Sequence, residues 1–358
     1  MLTKFLLILF LVALVCGLFE MGSFSNASAI EQASESRATK NEPISLYSIS
    51  DVIWWLPEDT EAVSVVRGPF EPKAASWEPS DGMRVPELLD SLLQIVPLAL
   101  LRETRNGEFY KQLVGHSVLF SVGGSRKFRS PTSLGLMLYE GCDVVVLQRS
   151  LGRAELMREM SSKAKEVHRI RGQQVTMFEE KLEQDLWRIF IAIPEPNVLL
   201  LSTNQDYLAQ VLNRMHQKAQ KRALPESLPE WGYVNTAAKF WAVRHYDKAE
   251  AQSDPSSPLS GRQAAANWID TQAVGIVFDF DPHSSKVATV RYLSQSGDAL
   301  KIFSDELMKA SQPGQDPNPL IRLKEPGVVE MLVSLDAKEQ VGMFLFVLLG
   351  LLGHAVYV

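Results

Sequence analysis

The chain is poor in the residues that usually announce chemistry. Of its 358 residues only two are cysteine, Cys16 and Cys142. Cys16 lies in a leading apolar run, so the remainder holds one thiol and no internal disulfide. A chain of this length builds a normal core without one. Cys142, within the strand-like LYEGCDVVVL, reads as a buried small hydrophobe rather than a nucleophile. The histidines are His116, His168, His216, His245, His283 and His354. None stands at metal-ligand spacing from another histidine or a cysteine, so neither a metal nor a cofactor is expected. Positive charge does not prevail either: the net charge of -6 argues against a nucleic-acid partner. There is no G-x-S-x-G, and SVGGSRKFR lacks the G-x-x-x-x-G-K-[ST] pattern of a phosphate loop. Gly123 and Gly124 are expected to form a tight turn with a solvated basic flank.

What the chain does have is an apolar run at each end. MLTK is followed by FLLILFLVALVCGLF, and then by small and polar residues ending in Ala27-Ser28-Ala29. A basic start, an apolar run and an A-x-A site compose a secretory signal peptide. The long stretch from Gly17 to Ala29 leaves an uncleaved N-terminal anchor as the alternative. Both readings export the rest of the chain. Val15 precedes Cys16 where a lipobox needs a small residue, which argues against a lipoprotein. The other run, VGMFLFVLLGLLGHAVYV at 341–358, is interrupted only by His354. A strand is expected at 328–335, with Asp336 as N-cap and Glu339 at the capping-box position. A helix apolar on every side is either fully buried or in lipid. It would span about 27 Å against a bilayer core of about 30 Å, so both readings stay open.

Between the ends, residues 30–44 are rich in Ser, Ala and Glu and read as a flexible spacer after the 1–29 signal or anchor. Residues 248–263 contain SDPSSPLSG and read as a linker or mobile loop. They separate a first α+β region, 45–247, from a second, 264–358. Three segments share one grammar: CDVVVLQRSLGRAELMREMSSKA, NVLLLSTNQDYLAQVLNRMHQKA and KVATVRYLSQSGDALKIFSDELMKA. Each has a β-rich run, a polar break and a helical stretch of 3.6 period. Leu156, Met157 and Met160 share one face in the first; Leu208, Val211 and Leu212 do so in the second. Ser150, Thr203 or Asn204, and Ser296 are the expected N-caps. Further strand-like runs precede each segment. The expected fold is therefore α+β: antiparallel sheet built from repeated β-meander-plus-helix units, with the helices packed on one face.

FDFDPH is the best local cluster of chemistry. On a strand Asp279, Asp281 and His283 share a face, as a cation site or acid–base set would need. Ile276, Phe278 and Phe280 take the other face, and the plainer reading is a half-buried strand, apolar in and polar out. WGYVNTAAKFWAVRHYD gathers Trp231, Tyr233, Trp241, His245 and Tyr246, which fit a ligand groove or, more plainly, core packing. From Arg149 to Arg171 the chain carries seven Lys or Arg against three Glu. That pattern suits an anionic lipid or polymer, or simply the exposed side of a helix.

LPEDTEAVSVVRGPFEP at 56–72 and FWAVRHYD at 240–247 resemble a loose group of exported bacterial proteins of unknown function that open on LPxDTEAV…GPF. The resemblance implies export and a bacterial source; it supplies no activity and no site residues. Together these readings point to an exported, envelope-associated, periplasmic or extracytoplasmic protein of a bacterial inner membrane. A non-enzymatic binding or assembly module is the first reading. A hydrolase or metal-dependent enzyme centred on Asp279, Asp281 and His283 is the alternative. The expected partners are a membrane, through the N-terminal segment and in one reading the C-terminal helix, and an unidentified protein or polymer.

Overall fold

In the computed structural model the described residues are 47–67, 118–126, 140–182, 185–217, 221–246, 273–280, 287–294 and 320–334. All lie within one compact unit, Pro43–Val358. Helix α1 (Ile49–Trp55) starts on a capping box: Ser48 Oγ accepts from Asp51 N, and the Asp51 carboxylate accepts from Ser48 N. Strand β1 (Ala62–Arg67) follows, then β2 (Val118–Arg126), β3 (Glu140–Leu147) and α2 (Arg153–Lys163). A meander comes next: β4 (Glu166–Ile170), β5 (Gln173–Leu182), β6 (Asp185–Glu195) and β7 (Val198–Ser202). Helix α3 (Gln205–Met215) and a 3-10 turn (Pro229–Gly232) lead to β8 (Phe240–His245). The last strands are β9 (Ala273–Phe280), β10 (Val287–Ser294), β11 (Leu320–Glu325) and β12 (Val328–Ser334).

The twelve strands of the described residues join one antiparallel sheet in the order β11-β12-β10-β9-β8-β1-β2-β3-β7-β6-β5-β4. Strands β8 and β9 flank the stretch 248–263, and they pair directly from Phe240↔Phe280 to His245↔Gly275. The order is symmetric about β1 and β8, which pair with Ser64 opposite Ala242. Outward from that pair each arm runs through two more strands to a hairpin whose second strand pairs inward. These are β2, β3, β7 and β6 on one side, and β9, β10, β12 and β11 on the other. The hairpins match in detail. Each has a register shift just before its turn, and the turns read Glu195-Pro196-Asn197-Val198 and Glu325-Pro326-Gly327-Val328. Gly327 sits at φ 95°, which glycine adopts without strain. The approaches to the central strands match as well: Thr60 N donates to Pro57 O at 3.2 Å, and Ala238 N donates to Asn235 O at 3.0 Å. Among the described residues only the first arm continues, into β5 and β4.

The antiparallel sheet and the α+β class agree with expectation, and so do Asn204 as N-cap of α3 and the buried Cys142. Four expectations are corrected. The helices do not share a face. Leu208, Val211 and Leu212 of α3 pack with Cys142, Val144, Val146 and Leu200, and Val52 and Ile53 of α1 join the same cluster. Leu156, Met157 and Met160 of α2 pack with Leu147, Ile189, Ile191, Leu199 and Leu201. These two sets alternate along β3, β6 and β7, so they lie on opposite faces. The physical reason is visible in β7, where Val198, Leu199, Leu200, Leu201 and Ser202 are all buried. An unbroken apolar run needs cover on both sides.

Gly123 and Gly124 do not form a turn; both lie inside β2, paired with Asp143 and Cys142 of β3. A Cβ on Gly124 would come within 2.7 Å of Leu56 Cδ1 and of the Tyr207 hydroxyl. That hydroxyl is fixed by Thr60 Oγ1 at 2.7 Å. Glycine is present because α1 and α3 descend onto the strand there. Nor is Arg126 a solvated flank: it pairs with Asp59 and, at 2.7 Å, with Glu140. Ser150 is not an N-cap, since α2 starts from Gly152 without a side-chain cap. Of the strand-like run at 134–140 only Glu140, the first residue of β3, is described; Ser296 and the segment 335–358 with Asp336 and Glu339 lie outside the described residues. Among the described residues no helix is long and apolar enough to cross a membrane.

Candidate functional site

The most polar stretch of the core lies on the second arm. On the α1/α3 side of the sheet, β8 presents Trp241, Val243 and His245, and β9 presents Gly275, Val277 and Asp279. Next to them Arg291 on β10 stands opposite Glu330 on β12. Arg291 is the hub. Its Nη1 donates to Asp279 Oδ2 at 2.6 Å and to the Tyr233 carbonyl at 2.8 Å, and its Nε donates to Glu330 Oε2 at 2.8 Å. Lys324 approaches Glu330 at 3.6 Å, and Asn235 N donates to Asp279 at 3.4 Å. The three central side chains keep 13%, 14% and 3% of their surface for Asp279, Arg291 and Glu330. Their charges thus meet in a low-dielectric setting, where the pairing is strong and an unpaired member is costly.

The fold itself does not require this polarity. Leu200 and Glu330 each stand two residues past the Val of the matching turns, Val198 and Val328. Leu200 faces Val144 on one arm, and Glu330 faces Arg291 on the other. One frame therefore carries an apolar pair in one arm and an ion pair in the other.

A second polar pair sits at the rim of the same face. Glu230, in the 3-10 turn, has no exposed surface, and its Oε1 lies 2.7 Å from His245 Nδ1. Gly275 makes room for it: a Cβ there would strike Glu230 Oε1 and, at 2.6 Å, both Glu230 Cγ and the Arg244 carbonyl. Among the described residues Glu230 Oε2 has no hydrogen-bond partner.

Of the expected cluster only Asp279 is among the described residues; Asp281 and His283 lie outside them. The Asp279 face is not a solvent face, because Val277 beside it is fully buried, as are Ile276 and Phe278 behind it. This corrects the expected apolar-in, polar-out strand. The aromatic candidates are divided. Trp231 and Trp241 meet edge to face at 5.8 Å. Trp231 also carries the Arg222 guanidinium over its ring at 4.7 Å, and its Nε1 donates to the Pro225 carbonyl. Tyr233 bonds Glu325, which raises its phenol above the usual range. Tyr246 is apart from them, under Arg244, whose side chain alternates to the other face of β8.

Arg291, Glu330 and Glu230 escaped the reading of the sequence. VATVRYLS and VVEMLVS each hold one charge inside an apolar strand run, which signals a buried partner without naming it. Nothing in PEWG marks Glu230. A carboxyl with a displaced proton affinity lies elsewhere: Asp143, half-buried on β3, is pushed up to about 6 by loss of hydration.

Arg291→Met leaves two carboxylates buried without their cation and should cost about 3–5 kcal/mol. Joining Asp279→Leu and Glu330→Leu to it should recover most of that loss, read as urea midpoints. For Asp143 the folded value exceeds the unfolded one of 3.8. Its contribution is therefore present below pH 3.8 and lost as pH rises through about 6. Asp143→Asn should remove that step, raising stability at pH 7 by about 1–2 kcal/mol after solvent screening, with little change at pH 4. Compared with known families, curated proteins and solved structures, the chain matches no family model, no curated protein and no solved structure.

Proposed function

We propose that the chain is an exported, envelope-associated protein that works as a non-enzymatic binding or assembly module on the periplasmic or extracytoplasmic side of a bacterial inner membrane. The observation that carries this reading is the mutual pairing of the charged groups on its most polar core face. Asp279 is held by Arg291, Glu330 by Arg291 and Lys324, and His245 by Glu230. Groups locked in such pairs give a face its shape and specificity; proton transfer asks for a group free to meet a substrate. The signal-like start, the apolar run at 341–358 and the resemblance of 56–72 to exported proteins support the location.

The finer reading of the fold belongs with this proposal. The matching arms support descent from one duplicated unit of meander, helix and return hairpin. In the first arm α2 follows β3 and α3 follows β7. In sequence, the stretches after β10 and β12 have the same order of polar break and helical pattern. A long sheet of two similar arms offers an extended surface for a partner.

The test is expression of the full chain with its own N-terminus in a bacterium, followed by trypsin treatment of spheroplasts and sedimentation of membranes. The chain should be digested in intact spheroplasts and should sediment with membranes. A chain protected from trypsin and found in the cytoplasm would overturn the location. The non-enzymatic part fails on a different result. It fails if the purified chain hydrolyses ester, phosphate or glycoside substrates and loses that activity in Asp281→Asn and His283→Ala at unchanged melting temperature.

A further inference from the structure

We infer that the outer edge of the first arm, where α2 packs beside the β4–β5 hairpin, is a docking surface for anionic phospholipid. The inference rests on the envelope reading above and names the partner of one surface. Arg149, Arg158, Arg169 and Arg171 are exposed there, and among the residues whose side chains are described none of them meets a carboxylate. Arg153 joins the two elements, its Nη2 donating to Gln173 Oε1 at 2.6 Å, one residue past the Arg171-Gly172 turn. The nearby Lys165 and Arg188 are different, since both pair with Glu179. Val167, on edge strand β4 between these charges, is 49% exposed. The patch opposes the net charge of -6 carried by the whole chain.

Two independent features mark the edge as more than a solvated face. Arg171 occupies φ 52° in the hairpin turn, a left-handed conformation suited to Asn or Gly and costly for a long side chain. Strain of that kind clusters at ligand clamps and other functional sites. The second feature is the sheet order. Strands β4 and β5 lie beyond the part of the sheet that the two arms share, and no described strand lies beyond β11 on the other side. The frame closes at β6, so the extra hairpin serves something other than the frame. Among the residues whose side chains are described, the exposed cations here that meet no carboxylate are arginines, whose planar fork matches a phosphate with two hydrogen bonds. An exposed valine among them suits the boundary between headgroups and acyl chains.

The test is co-sedimentation of the purified full chain with vesicles of phosphatidylcholine alone and with vesicles that also contain phosphatidylglycerol. Apolar terminal segments would bind both kinds; the arginine edge should add affinity only for the anionic kind. That increment should fall about 30-fold in Arg158→Gln/Arg169→Gln, at about 1 kcal/mol per cation near an anionic surface. It should fall in wild type as salt rises and stay unchanged in Lys221→Gln. An increment absent in wild type, or retained by the double variant with its melting temperature unchanged, overturns the inference. Arginine-dependent binding to a soluble oligonucleotide but not to anionic vesicles overturns it too. A cytoplasmic location found in the spheroplast experiment would count against the envelope reading, whereas this increment is read on purified protein.

Discussion

The pairing of β1 with β8 is the constraint on which the rest of the structure depends. Five residue pairs, from Ala62↔Arg244 to Val66↔Phe240, bring strands far apart in sequence to the centre of the sheet. Closing so long a loop is entropically costly, and neither strand can recover that cost alone. What offsets it is burial on the α1/α3 side, where Val63, Val65, Trp241 and Val243 are nearly or wholly inaccessible. Each fully buried side chain of this size contributes about 1.5–3 kcal/mol. Once this pair is in place, each arm adds strands by antiparallel neighbours and short hairpins. The ladder also fixes where the polar face can form, because Trp241 and His245 set the level at which Asp279 and Gly275 stand on β9.

The two arms solve one packing problem in different ways. The first fills its α1/α3 side with Val122, Val144, Leu200 and the residues of α3, and needs Gly124 to let Tyr207 in. The second places an arginine and two carboxylates among residues that are otherwise apolar. An apolar set of similar volume would hold that position at least as well, since buried ion pairs recover their lost hydration only in good geometry. The polar set is better understood as fixing one arrangement of β9, β10, β12 and the 3-10 turn, whose Tyr233 carbonyl Arg291 also binds. Glu230 makes the same kind of statement at the rim: a buried carboxylate opposite His245 tolerates few alternative positions of the turn that carries it.

Much of the sheet was legible from local pattern. DLWRIFIAIPE and VLLLS have the length and branching of strands, the turns between them hold Pro and Asn, and Asn204 announces α3. Ser48 and Asp51 spell a capping box that the reading passed over, so α1 was within reach. Whatever depends on residues distant in sequence was not legible. Gly124 looks like a turn until Leu56 and Tyr207 are seen above it. The α2 side of β6 carries Ile189, Ile191 and Ile193, but nothing local says that α2 is the helix that covers it. Asp279 looks like half of a metal site until Arg291 appears two positions along the partner strand. Composition could show that charges sit in apolar runs, but not which of them meet.

The most direct test of the central claim is a disulfide across the middle of the sheet. Ser64 and Ala242 face each other on β1 and β8, so Ser64→Cys with Ala242→Cys places two thiols at adjacent strand positions. An intramolecular disulfide should form under mild oxidation, seen as faster migration without reductant. It should also give a gain of about 2–4 kcal/mol over the reduced form. Failure of the two thiols to join in the folded chain, or their joining only between chains, would contradict a single sheet centred on this pair.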